Sequence, residues 1–176
     1  MKKKSTRPLS KQEELTALLA AFALFLSTIE YLIPKPVPFF RLGLANLPVL
    51  LSLSLLTPGL YFLLVFLKIA GQGLVNGTLF SYSFLFSAAG SFASGLAMYG
   101  LWRALKGRLS YIGISMAGAL SSNVVQLFLA RFLVVGSGMW VIGPPFLVIG
   151  LVTSILLGIF SESFIARSTW YKSLSL

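Results

Sequence analysis

The residues of this sequence that could do chemistry are polar side chains placed inside long apolar stretches. Lys68, Gln72 and Asn76 recur four residues apart within the stretch 60–80. At about 100° per residue, this spacing brings the three side chains to one face of a helix. Because a polar group is costly in apolar surroundings unless it is hydrogen-bonded, the shared face predicts a common partner.

A second polar group interrupts the stretch 111–135. Asn123, Gln126 and Arg131 lie within an arc of roughly 140° on a helix. Amides can fix the orientation of a small ligand, and arginine can bind a carboxylate or phosphate through two parallel hydrogen bonds. With the N-terminus in the cytoplasm, both stretches form helices that run from the cytoplasmic side to the outer side of the membrane. We therefore expect the two polar groups to share one pocket that faces the outer side.

Glu30, Arg41 and Asn46 extend the predicted pocket. Glu30 lies near the end of the first apolar stretch, and Arg41 and Asn46 lie near the beginning of the second. The full candidate set is Glu30, Arg41, Asn46, Lys68, Gln72, Asn76, Asn123, Gln126 and Arg131. Its charge is mainly positive, which suits a ligand with an anionic group. The alternative is a network that satisfies itself and stabilises the helices, for example Glu30 paired with Lys68 or Arg131.

The sequence offers little for catalysis. It has no Cys, His or Asp, and its acids are Glu13, Glu14, Glu30 and Glu162. We therefore expect no catalytic residue, no metal site and no cofactor. It also lacks the glycine-rich phosphate-binding motif of ATPases, so an ATP-driven step would need partner proteins.

The composition predicts an all-α, polytopic membrane bundle. Hydrophobic residues make up 57% of the 176 residues and charged ones 10%, against about 25% charged in ordinary soluble domains. Six apolar stretches lie at 15–33, 42–56, 60–80, 84–101, 111–135 and 143–160. We predict a basic tail at 1–10, a six-helix membrane domain at 11–165 and a short tail at 166–176.

The distribution of cations predicts that both termini face the cytoplasm. With that orientation, ten Lys and Arg residues lie inside and three outside, as the positive-inside rule requires. The net charge of +10 is then explained by contact with anionic lipid heads rather than nucleic acid.

Small residues spaced four apart mark faces where helices can approach closely. In the first stretch these are Ala17 and Ala21. Such a face either packs inside the bundle or docks another protein, and both readings stay open for this helix.

Four segments resemble a known family. They are 41–46 (RLGLAN), 71–80, 84–90 (FLFSAAG) and 118–127 (GALSSNVVQL), and together they resemble the Gx transporter family, often labelled heptaprenyl diphosphate synthase component I. The resemblance runs from about residue 15 to 160. The family usually has His before the Asn-x-x-Gln of the fifth helix, where this sequence has Ser122.

This family is similar to the substrate-binding S components of energy-coupling factor transporters. The resemblance implies six helices in the bacterial cytoplasmic membrane, both termini inside, and a ligand site near the outer surface. It also implies that Ala17 and Ala21 dock a coupling subunit, which two ATPases would drive.

Three functions follow as hypotheses. The first is a substrate-binding subunit for uptake of a small anionic or amphipathic molecule. The second is an accessory subunit of prenyl (heptaprenyl) diphosphate synthesis, although the Asp-rich motifs that hold magnesium in the usual trans-type synthases are missing. The third is a structural subunit of a larger membrane complex.

Overall fold

The computed structural model describes residues 9–33, 42–105 and 108–174, and these residues form helices and turns without a β-strand. This confirms the all-α prediction for the described chain. The helices are α1 (Lys11–Leu32), α2 (Leu47–Ser52), α3 (Pro58–Val75), α4 (Tyr82–Leu105), α5 (Tyr111–Ala130), α6 (Met139–Arg167) and α7 (Thr169–Leu174). A 3₁₀ turn, Leu44–Asn46, precedes α2, and a π-helical turn, Arg131–Val135, follows α5.

Helix α1 begins at the capping box that the sequence predicts. The Glu13 backbone N–H donates to Ser10 Oγ at 3.3 Å, and the Ser10 backbone N–H donates to Glu13 Oε2 at 2.7 Å. These bonds satisfy two donors that the first turn of a helix leaves without a partner.

Five of the described helices are long and apolar enough to cross a membrane, so the chain is a multi-pass membrane protein. Their outer surfaces carry large apolar side chains, among them Phe25, Phe66, Phe128 and Val141. A soluble protein would not leave so many apolar side chains in water, whereas lipid solvates them.

The predicted second spanning segment, 42–56, has a different structure, so a count of six spanning helices is not confirmed. Its helix α2 has six residues and is about 9 Å long, against about 30 Å of bilayer hydrocarbon. Gly43 enters the 3₁₀ turn with a φ of +82°, in the left-handed region. Every residue of α2 is buried, so this segment lies inside the helix bundle and contributes to its core.

Close contact between α4 and α5 depends on glycine. A Cβ atom at Gly118 would lie 2.6 Å from Met98 Cγ, and one at Gly90 would lie 2.5 Å from Gln126 Nε2. Gly90 and Gly118 therefore serve packing inside the bundle.

One tyrosine joins α7 to α2 and to the segment after it. The Tyr171 hydroxyl bonds Ser54 Oγ at 2.6 Å and donates to the Leu51 carbonyl at 2.7 Å. Burial raises the pKa of the Tyr171 hydroxyl, which keeps it protonated and able to donate. Tyr111 Oη also bonds Ser54 Oγ, at 3.4 Å, so the start of α5 meets the same point.

We expect Tyr171→Phe to destabilise the protein by about 1–3 kcal/mol, because the buried Leu51 carbonyl loses its donor. Thermal unfolding in mild detergent measures the effect. Tyr82→Phe is the matched control, since the Tyr82 side chain is 70% exposed. Equal melting temperatures for the two variants would contradict the prediction.

Candidate functional site

A polar cavity of about 30 Å³ lies where residues 42–46 meet the helices α1, α3, α4, α5 and α6. It is lined by Glu30, Leu42, Gly43, Ala45, Asn46, Lys68, Gln72, Ser91, Ala119, Ser122, Asn123, Gln126 and Gly150. Six of the nine candidate residues therefore converge on one point from α1, the 3₁₀ turn, α3 and α5.

Glu30 holds the entry to the 3₁₀ turn. Its two carboxylate oxygens accept the backbone N–H groups of Gly43 and Leu44, at 3.1 and 3.0 Å. The side chain is almost completely buried, so these charge-assisted bonds offset part of the cost of burying a carboxylate. Glu30 thus positions the turn that carries Asn46.

Lys68 connects this turn to α4. Its ammonium group donates one hydrogen bond to Asn46 Oδ1 and a second one, of 3.3 Å, to Ser91 Oγ. Lys68 is 3% exposed. A buried ammonium is retained only where several groups solvate it, and here it supplies a positive charge to the cavity wall.

Gln72 lies one turn along α3 from Lys68. Its Oε1 accepts a hydrogen bond from Ser87 Oγ at 3.2 Å, which links α3 to α4. Ser87 and Ser91 are partners that the sequence analysis missed. Their four-residue spacing on α4 was a signal, but serine is common at helix contacts in membranes and carries little information alone.

Two polar atoms from α5 lack a partner among the described residues. Gln126 Nε2 donates to Ser122 Oγ at 2.8 Å, but Gln126 Oε1 and Asn123 Nδ2 are buried without a hydrogen bond. Asn123 and Gln126 are 5% and 2% exposed. Two residues of the cavity wall therefore each keep one polar atom, a donor and an acceptor, whose hydrogen-bonding capacity is unsatisfied among the described residues.

Helix α6 approaches these amides through Gly150. A Cβ atom at this position would overlap Asn123 Nδ2. Glycine therefore lets the α6 backbone form one wall of the cavity beside the amide, and a larger residue would displace the Asn123 side chain.

Two of the other three candidates lie away from the cavity, and the third, Arg41, lies outside the described residues. Asn76 is the half-buried C-cap residue that follows α3, and Arg131 is exposed in a separate groove between α5 and α6. Substrate binding by any of the nine stays a prediction.

The arrangement supports recognition through hydrogen bonds, with one ammonium (Lys68) and one carboxylate (Glu30) in the cavity wall. Among the described residues, no three His, Cys, Asp or Glu side chains lie together as a metal site would require. On the outer surface, Ala17 and Ala21 are exposed along α1, so they do not serve packing within the described bundle.

Comparison with known proteins identifies one family. A family model described as heptaprenyl diphosphate synthase component I matches residues 19–164, which is most of the chain and includes all six candidate residues that line the cavity. No curated protein and no solved structure shows a significant match to the chain.

Proposed function

The chain belongs to the heptaprenyl diphosphate synthase component I family, and we propose that it is a membrane substrate-binding subunit for uptake of a small anionic or amphipathic molecule. The observation that carries this proposal is the pair of buried, unpartnered atoms Asn123 Nδ2 and Gln126 Oε1. Each such atom costs about 1–3 kcal/mol. A ligand that supplies one acceptor and one donor would recover that cost.

We propose that an anionic group of the ligand binds at Lys68. Lys68 brings an ammonium to the wall, whereas the carboxylate of Glu30 is directed to the backbone N–H groups of Gly43 and Leu44, which accounts for both of its oxygens. An anion beside Lys68 would gain a charge-assisted hydrogen bond in surroundings that contain little water.

The cavity volume of about 30 Å³ is enough for a few waters, since each water needs at least about 10–15 Å³ of cavity volume. A larger ligand therefore requires the cavity to widen. We propose that the turn Leu44–Asn46 moves. Side-chain bonds from Glu30 and Lys68 hold this turn in place, and an anionic ligand would compete for the Lys68 bond.

The proposed topology places both termini in the cytoplasm. Gly71 packs against Leu24, and Glu30 and Gln72, near the C-terminal ends of α1 and α3, line the same cavity. We propose that α1 and α3 run in the same direction and that 42–56 returns the chain across the bundle. This segment would then be the sixth, broken crossing. Cytoplasmic termini would also put most cations inside.

For the energy of uptake, we propose that α1 docks a coupling subunit served by two ATPases. Ala17 and Ala21 would form the point of close approach, and the neighbouring Leu18 and Phe25 are 55% and 61% exposed. Small residues let a partner helix come near, and flanking apolar side chains bury area against it.

The family description favours a second candidate, an accessory subunit of prenyl diphosphate synthesis. We propose that such a role would be non-catalytic. Magnesium prefers several hard oxygen ligands, but the sequence has no Asp, and Glu30 is the acid that lines the cavity. Metal-dependent turnover of a prenyl diphosphate by the purified chain would favour the synthase role over uptake.

The test is mass spectrometry of small molecules released from the full chain after purification in mild detergent. We expect one compound in stoichiometric amount with the wild type, and its loss with Asn123→Leu. This isosteric change removes the unpartnered amide without opening space, so we also expect the melting temperature to hold or rise. Gln12→Leu, which removes an exposed amide at the start of α1, is the matched control.

Two results would count against the proposal. If Asn123→Leu lowers the melting temperature strongly, the amide serves the fold rather than a ligand. If a compound binds the wild type and Asn123→Leu equally, the binding site lies elsewhere.

A further inference from the structure

A groove on the lipid-facing surface, between α5 and α6, is separate from the polar cavity proposed as the uptake site. Its volume is about 280 Å³. It is lined by Val124, Leu127, Phe128, Arg131, Gly143, Pro144 and Leu147. Six of these seven residues are apolar, and none is acidic. The groove therefore combines an apolar floor with a single cation.

The location of the groove determines what surrounds it. Val124 and Phe128 are 37% and 59% exposed, and both belong to the membrane-crossing segment Tyr111–Val134. Lipid is the solvent of such a surface. Hydrocarbon chains, rather than water, would therefore fill the apolar part of the groove.

Arg131 lies close to the end of the same segment, where the hydrocarbon gives way to lipid headgroups. Its guanidinium has five N–H donors in a planar fork that matches a phosphate. At this depth, the guanidinium can bind the phosphate of a phospholipid, and the apolar side chains beside it can contact the acyl chains. Basic pockets between transmembrane helices bind anionic lipid heads in this way.

We propose that this groove binds one anionic phospholipid, with its phosphate on Arg131 and an acyl chain between α5 and α6. Gly143 provides the space for the chain. A Cβ atom there would meet Leu127 Cδ1 at 3.9 Å, an ordinary contact. A side chain can therefore be added at this position without a clash, and it would fill the groove.

The test is native mass spectrometry of the detergent-purified full chain, titrated with phosphatidylglycerol or phosphatidylcholine of identical acyl chains. We expect the wild type to retain one phosphatidylglycerol about fivefold more strongly than phosphatidylcholine. Arg131→Gln should reduce this ratio to near one. Gly143→Leu should weaken the retention of both lipids, since it blocks the acyl chain rather than the headgroup.

Arg108→Gln is the control, because it removes an exposed arginine just before the opposite end of α5. It should leave the lipid ratio unchanged. An unchanged ratio in Arg131→Gln, or unchanged retention in Gly143→Leu, overturns the proposal. Gly143→Leu tests the groove independently if Arg131→Gln fails to fold. Displacement of the lipid by inorganic phosphate alone would show a free-phosphate site and overturn it too.

Discussion

Lys68→Met is expected to abolish retention of the proposed ligand by the purified protein. Lys68 is the cation of the cavity wall, and its ammonium is almost completely buried. Loss of a charge-assisted hydrogen bond to a ligand costs about 1.5–3 kcal/mol, which corresponds to roughly 10- to 100-fold in affinity.

The effect of Lys68→Met on stability should be much smaller. Methionine is similar in length and flexible, and replacing a buried charge with an apolar side chain is often neutral or stabilising. The unpaired Asn46 and Ser91 side chains offset part of this gain. Ligand retention by mass spectrometry and the melting temperature, measured on the same preparation, separate the two effects.

Lys11→Met is the matched control, since it removes an exposed ammonium at the start of α1. It should leave ligand retention unchanged. Normal retention in Lys68→Met would show that the ammonium has no role in binding. Equal losses in both variants would instead trace the effect to net charge rather than to the cavity.

Gly158→Ala is expected to cause the largest loss of stability among single methyl additions. The added Cβ atom would lie 2.5 Å from Ile112 Cα and 3.0 Å from Ile112 N. These are backbone atoms, so no side-chain rotation can relieve the overlap, and α5 and α6 must separate. Overpacking of this kind typically costs about 1–3 kcal/mol.

Gly100→Ala is the control for this prediction, because nothing lies within 4 Å of a Cβ atom at that position in α4. It should stabilise the helix by up to about 1 kcal/mol through helix propensity. Thermal unfolding in mild detergent, with helix content followed by circular dichroism, compares the two. A melting temperature for Gly158→Ala at or above that of wild type would contradict the close packing of α5 on α6.

Helical spacing within one segment predicted part of the cavity. Lys68 and Gln72 are four residues apart and both line it, as their shared face requires. Asn76, four residues further on, does not, because α3 ends at Val75 and Asn76 is its C-cap. The four-residue spacing predicts which residues share a helix face but not where the helix ends, because the end depends on local chain geometry.

The same limit applies to α5. Asn123 and Gln126 line the cavity, but Arg131 begins a π-helical turn and lies in the outer groove. An arc of roughly 140° is wide enough to include both an inward and an outward surface. Which part of the arc faces inward depends on the position of α4 and α6, and the spacing within α5 contains no information about either.

The sequence by itself determined the class of the protein: helices long and apolar enough to cross a membrane, the start of α1, and the polar residues that must be hidden from lipid. These features follow from composition and from the spacing of residues within one segment, so each segment predicts them without knowledge of the others. Only the tertiary structure decided that α2 is a short, buried helix and that Glu30 holds the turn before it through Gly43 and Leu44. It also decided which amides lack a partner, because such contacts join residues far apart in the chain and depend on how all the helices pack together.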